Sequence, residues 1–240
     1  MSGKKMKKVR EKKELKKMGE LKKKKDFKKM KETKIKKSPY IFTIHKMKES
    51  DSLIHSPSLL EYKKEFSPLS GSELKYDEKK WNDHEGIRTT HNCYSYALGK
   101  IRPGLDSKAQ PGYASGYNHV EDDNYDCESF YQRLKKDVPG SYLEKFDNAC
   151  HPGFYKIFLM LDVGNDYHWT REDSNLYWSH KPGSTNVTNK DANGNTIKNP
   201  LTASWKYESL NYKKPCFFAC VYSDLSRSIS KVYDSSNKFF

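Results

Sequence analysis

Three side chains in this sequence could together carry a nucleophilic reaction: Cys93, His168 and His180. Cys93 lies in the run His91-Asn92-Cys93-Tyr94-Ser95-Tyr96-Ala97-Leu98-Gly99, where Asn92 is a good N-cap and Gly99 a helix stop. A thiol at a helix N-terminus sits at the positive end of the dipole beside unpaired N–H groups. Both lower its pKa toward the reactive thiolate. Such a nucleophile needs a base, and the two imidazoles are the candidates. His168 would share the thiol proton, and His180 would hold that imidazole in its productive tautomer, with Asp166 or Asp173 taking this role in a different strand register. The competing reading is that Cys93 is a small buried hydrophobe, the commonest fate of a free cysteine.

Two patterns resemble metal sites in part only. Cys216 and Cys220 are four apart, but Pro215 and Phe217-Phe218 indicate a strand. Four residues of strand span about 13 Å, too far for one zinc ion. Asp191-x-Asn193-x-Asn195 begins like a calcium loop, yet its glycine, Gly194, is at the fourth position and Thr202 stands where a bidentate Glu belongs. A hairpin turn explains it better. No metal or other cofactor is expected. The five cysteines are odd in number and widely spaced in a 240-residue chain, and they are read as reduced thiols.

The elements that must position these groups follow from periodicity. The Asn92 to Gly99 run suits a short helix. Asp126 to Lys136 carries Phe130, Tyr131 and Leu134 at helical spacing, and Pro139-Gly140 ends it. Phe154 to Asp162 is almost all apolar and predicts a strand buried on both faces. Asp166–Arg171 and Leu176–His180 flank Asp173-Ser174-Asn175, a hairpin signal, and Cys216–Tyr222 is a late strand. Helices followed by antiparallel strands make the class α+β. If the hairpin places His168 and His180 on one face they can cooperate, and a one-residue slip separates them. The shared-face arrangement is favoured.

Charge divides the chain. Residues 1–37 hold 18 Lys and Arg10 against five acids, which accounts for the entire +14, and the remainder balances 26 basic against 26 acidic side chains. In this segment Met6, Val9, Leu15, Met18, Leu21, Phe27 and Met30 recur in multiples of three, so on a helix they spiral instead of forming a packing stripe. A flexible basic tail is expected, with nucleic acid or another polyanion as its partner. Residues 38–88 read as a linker with peripheral elements, and 89–240 as the globular domain. No apolar run is long enough for a membrane span, and the basic N-terminus lacks the apolar stretch of a signal peptide. A non-secreted protein without a membrane partner is therefore expected.

The segment Asn92-Cys93-Tyr94-Ser95-Tyr96-Ala97-Leu98, then Gln110-Pro111-Gly112, then a buried strand and a His-bearing strand, resembles the order of elements in the NlpC/P60 and CHAP cysteine hydrolases. This resemblance implies a papain-like α+β domain, with a helix bearing Cys93 ahead of an antiparallel sheet bearing His168. It implies a peptidase or amidase acting on a peptide or amide substrate. Where this chain has Asn92-Cys93-Tyr94-Ser95, NlpC/P60 enzymes usually show Asp-Cys-Ser-Gly, and CHAP domains usually have Gly where Tyr167 stands. His180 matches a third catalytic position by order only. Asp166 to Asp173 followed by Tyr177 to Gly183 is also similar to a group of bacterial and giant-virus (mimivirus-like) proteins. For such an origin the implied location is host cytoplasm or virion. A non-catalytic structural component, with the tail contacting nucleic acid or a neighbouring protein, is the alternative function.

Overall fold

The computed structural model of the chain describes residues 54, 57–101, 108–120 and 125–223. The Lys-rich segment 1–37 lies outside them. The described residues belong to the compact unit Asp51–Phe240. Its elements are α1 (Leu59–Lys63), α2 (Glu78–Asn82), α3 (Glu85–Thr90), α4 (Cys93–Ala97), a 3-10 turn (Tyr113–Ser115), α5 (Cys127–Asp137), β1 (Tyr142–Glu144), β2 (Phe154–Asp162), β3 (Asp166–Glu172), β4 (Trp178–His180) and β5 (Lys214–Tyr222). The strands form one antiparallel sheet in the order β1-β5-β2-β3-β4. The class is α+β. Among the described residues, no helix is long and apolar enough to cross a membrane.

Both expected helices form where their caps predict. Asn92 accepts from the Ser95 N–H at the start of α4, and Asp126 accepts from the Ser129 N–H at the start of α5. Gly99 closes α4 at φ 66°, with the Lys100 N–H reaching back to the Ser95 carbonyl at 2.9 Å. A Cβ on Gly99 would collide with Leu74 Cδ1, so close approach as well as dihedral angle requires glycine. Residues 57–88, read as peripheral, supply α1, α2 and most of α3. Trp81 of α2 packs edge-on to Tyr96 of α4, with ring centroids 4.9 Å apart.

The central strands β2 and β3 are covered on both faces, so alternation sorts their side chains between two cores. Tyr155, Ile157, Leu159, Leu161, Tyr167 and Trp169 face α4 and α5, meeting Tyr94, Ala97, Phe130 and Leu134. Phe158 and Met160 face the other way, toward Phe146, Trp178, Ile197, Trp205 and Tyr212. The residues after β4 thus fold over the second face, largely without regular structure. The hairpin differs from expectation in extent: β4 starts at Trp178, because Leu176 takes a left-handed φ of 73° in the turn.

The expectation of reduced thiols is corrected. Cys127 is bonded to Cys216 and Cys150 to Cys220, leaving Cys93 as the free cysteine. Perfect alternation would point Cys216 and Cys220 to the same face of β5. A register shift between Leu159 and Met160, which pair with Phe217 and Pro215, leaves Cys216 unpaired in the ladder. Cys216 thereby joins the helix-side core and reaches Cys127 at the start of α5. Cys220 keeps its alternation and reaches Cys150 in the β1–β2 loop. The bridges span 89 and 70 residues, and native bridges typically contribute about 2–4 kcal/mol each. Denatured without reductant, the protein should titrate one thiol per chain. The Cys127→Ser/Cys216→Ser variant should lose about 2–4 kcal/mol in denaturant unfolding. Five reactive thiols in the unreduced protein would rule out both bridges.

Candidate functional site

Cys93 occupies the first turn of α4, as its sequence context predicts, but its surroundings suppress thiolate formation. The side chain is 5% exposed and sits in the helix-side core, with Sγ 3.9 Å from the Tyr167 carbonyl oxygen. Burial is the dominant influence on the thiol and pushes its pKa up to about 12. At neutral pH it is therefore a protonated, shielded thiol. The favourable end of a five-residue helix does not offset that desolvation.

The two histidines do share a face and do touch. Thr170 lies opposite His180 in the β3–β4 register, so positions 168 and 180 point the same way. His168 Nε2 and His180 Nδ1 are 2.8 Å apart, and His180 Nε2 is 2.8 Å from the Lys190 carbonyl. The carbonyl can only accept, so His180 carries its proton on Nε2 and presents a bare Nδ1 to the Nε2–H of His168. Both imidazoles are buried, and burial lowers both pKa values, that of His180 to about 4 and that of His168 well below its ordinary value. The pair is thus a neutral hydrogen-bonded relay, packed against Trp205, with the Tyr212 ring tilted beside His168.

The face they share is the one turned away from Cys93. Tyr167 and Trp169, the neighbours of His168 along β3, belong to the core that contains Cys93, and alternation sends His168 through the sheet to the other side. The structure therefore brings His168 and His180 together and separates both from the thiol. The alternative orienting groups are also committed elsewhere. Asp166 accepts from the Tyr212 hydroxyl at 2.6 Å, and Asp173 is paired with Arg171 at 2.9 Å. Among the described residues, no group of three or more His, Cys, Asp or Glu could hold a metal ion.

Besides Asp173, several buried polar groups carry no signal of a catalytic role in the sequence: Arg171, Lys156 and Glu172. Arg171 and Asp173 are both buried, and the guanidinium lies 4.1 Å over the Tyr96 ring while donating to the carbonyls of Tyr96 and Lys75. Lys156 donates to Ser67 Oγ and to the carbonyls of Phe146 and Asn148. Glu172, next to it on β3, is buried, and burial raises its pKa to about 7. The available signal was charge inside apolar strands: Lys156 interrupts the run of β2, and Arg171-Glu172-Asp173 ends β3. Over Phe158 and Met160 a cleft of about 280 Å³ opens between Tyr62, Trp205 and Tyr212, with Lys206 and Lys213 among its lining residues.

No family model matches the chain, and no solved structure shows significant similarity to it. The chain is 35% identical over 129 residues to "Insoluble matrix shell protein 1" of Ruditapes philippinarum, an alignment spanning 54% of this chain and 80% of that protein. The chain belongs to the family of that shell matrix protein. Membership in a shell matrix family overturns the cysteine-hydrolase reading drawn from Cys93, His168 and His180. The geometry supplies the physical reason, since the thiol is protonated and a layer of sheet separates it from the imidazoles. In this chain Cys93 belongs to the helix-side core, and His168 and His180 pack against Trp205 on the other face.

The buried histidines make the fold sensitive to acid in a calculable direction. Their folded pKa values lie below the ordinary 6.5, so the unfolded chain binds more protons below that pH. The stability they contribute is present above pH 6.5 and is lost as pH falls toward 4, to the extent of up to about 3 kcal/mol for His180. Glu172 acts oppositely between its ordinary value and about 7, because it is protonated more readily in the fold. His180→Gln should therefore flatten the fall in melting temperature between pH 6.5 and pH 4. A slope equal to that of the unmodified protein would refute the assignment.

Proposed function

We propose that this protein is a non-catalytic structural component of an insoluble extracellular matrix. The observation that carries the reading is the 35% identity to a protein named for an insoluble shell matrix, over 80% of that protein's length. Two disulfides support it, because such bridges persist in oxidising, extracytoplasmic settings. An extracellular location thus replaces the reduced, non-secreted setting expected earlier. The papain-like description of the fold rests only on the order of a cysteine-bearing helix before an antiparallel sheet, and here it carries no catalytic role.

Structural use suits the way this chain spends its polar residues. Arg171 and Lys181 are buried and donate to backbone carbonyls of distant segments, and Lys156 donates to carbonyls of the preceding β1–β2 loop, so their charges tie loops to the sheet. The Lys-rich segment 1–37 is the part suited to holding a polyanionic partner, because dense ammonium groups release counterions from an acidic polymer.

Sequential extraction of the producing tissue tests the reading. The protein should stay in the pellet in buffer and be released by denaturant with reductant. Recovery of the bulk in a buffer-soluble cytosolic fraction would sink the proposal. The basic segment is tested on immobilised heparin. The full chain should elute with a steep dependence on salt, and a chain starting at Ser38 should pass through. Equal retention of the two would remove the segment from any role in polyanion binding.

A further inference from the structure

A second polar site lies at the far edge of the sheet. Residues 182–188, which follow β4, fold against the C-terminal end of α3 and enclose a shallow bowl of about 480 Å³. Arg88, Thr89, Ser184, Thr185, Asn186 and Thr188 line it, and no acidic side chain does. Lys181 is buried beneath, with Nζ donating to the carbonyls of Arg88 at 2.6 Å, Gly183 at 2.7 Å and Thr185 at 2.9 Å. Lys108 approaches from outside, its Nζ 3.8 Å from where a Cβ on Gly183 would stand.

Three cations therefore gather around one polar depression, although the charges of residues 38–240 sum to zero. Their mutual influence is unfavourable. After burial, Lys108 and Arg88 both depress the Lys181 pKa, to about 8, as like charges do. Among the described residues the acidic side chain that pairs with this group is Glu85, 4.0 Å from Arg88 and exposed, so it screens little.

Five carbonyls of the rim already accept hydrogen bonds from within it. The Thr89 carbonyl accepts from Ser184 Oγ, and the Pro182 carbonyl accepts from the Thr185 N–H and Oγ1. Lys181 satisfies the carbonyls of Arg88, Gly183 and Thr185. The negative end of α3 is thereby neutralised, and because the Thr89, Ser184 and Thr185 hydroxyls and Lys181 Nζ have given their protons to carbonyls, the groups that remain to face a ligand with donors and positive charge are Arg88 and Lys108. Such a surface selects an anion rather than a cation or a neutral sugar.

We propose that this bowl binds a tetrahedral oxyanion, a phosphate or sulfate group, held by Arg88 and Lys108 over the fixed charge of Lys181. Arg88 supplies a planar fork suited to paired oxygens, and Lys108 supplies a mobile point charge. Lys181 sets the loop geometry and contributes field. The site is separate from the basic N-terminal segment, and it stands whether or not the protein is a matrix component.

The test uses the full-length, 15N-labelled chain and follows backbone amides while inorganic phosphate and, separately, heparin oligosaccharides are added. Thr89, Ser184, Thr185 and Asn186 should shift saturably. A response to inorganic phosphate shows that the free ion suffices, and a response to heparin oligosaccharides alone shows that the group must be carried on a polymer. Either result supports the site. In the Arg88→Gln/Lys108→Gln variant, which leaves Lys181 and its carbonyl contacts intact, the dissociation constant should rise at least about tenfold with spectral dispersion retained. Shifts confined to residues 1–37, or equal affinity in the variant, would overturn the proposal.

Discussion

Adjacent residues of a strand leave opposite faces of a sheet, and in this protein β2 and β3 are buried on both faces. That constraint divides the molecule. Leu159 and Trp169 go to the helices, while Met160 and His168 go to the irregular segment that covers the other side. Each core then limits what the other can do, because moving one strand by a single residue would exchange the two sets of side chains. The register is held from both sides at once.

The one departure from alternation is where the covalent framework enters. The irregularity of β5 beside Leu159 and Met160 turns Cys216 to the helix side, while Cys220 stays on the opposite side. One strand thus anchors a helix on one face and a loop on the other. Without the irregularity both sulfurs would lie on the same face, and α5 would lose its tether. Buried charges complete the framework at the edges. Arg171 and Asp173 join the hairpin to Lys75 and Tyr96, and Lys181 joins the end of β4 to α3. A buried pair of this kind is weak evidence for net stability, but removing one partner leaves an uncompensated charge, so these contacts specify which loops close where.

A Cys-bearing helix ahead of a His-bearing hairpin is compatible with a catalytic dyad and equally with a two-sided core. Reactivity depends on hydration. Cys93 at 5% exposure has its thiol pushed up, and His168 and His180 have their imidazoles pushed down, so all three are driven to their neutral forms. Neutral, hydrogen-bonded polar groups inside apolar cores are retained without catalytic work.

The sequence by itself determined the local elements. Asn92 and Asp126 cap their helices, Gly99 ends α4, and the strands follow from unbroken or alternating apolar runs, because capping and periodicity depend on near neighbours. For His168 and His180 it allowed two hairpin parities, and the Thr170–His180 pairing fixed the one in which they share a face. Only the tertiary structure decided which face lies against Cys93, because a hairpin has no information about the layer packed on it. The same holds for the disulfides. Whether Cys127 meets Cys216 depends on an irregularity in β5 and on where α5 docks, and both are set by residues some 90 positions away. Burial of Lys156, Arg171 and Lys181 was likewise decided there, because a charged side chain can be placed inside only when carbonyls from other segments converge to receive it.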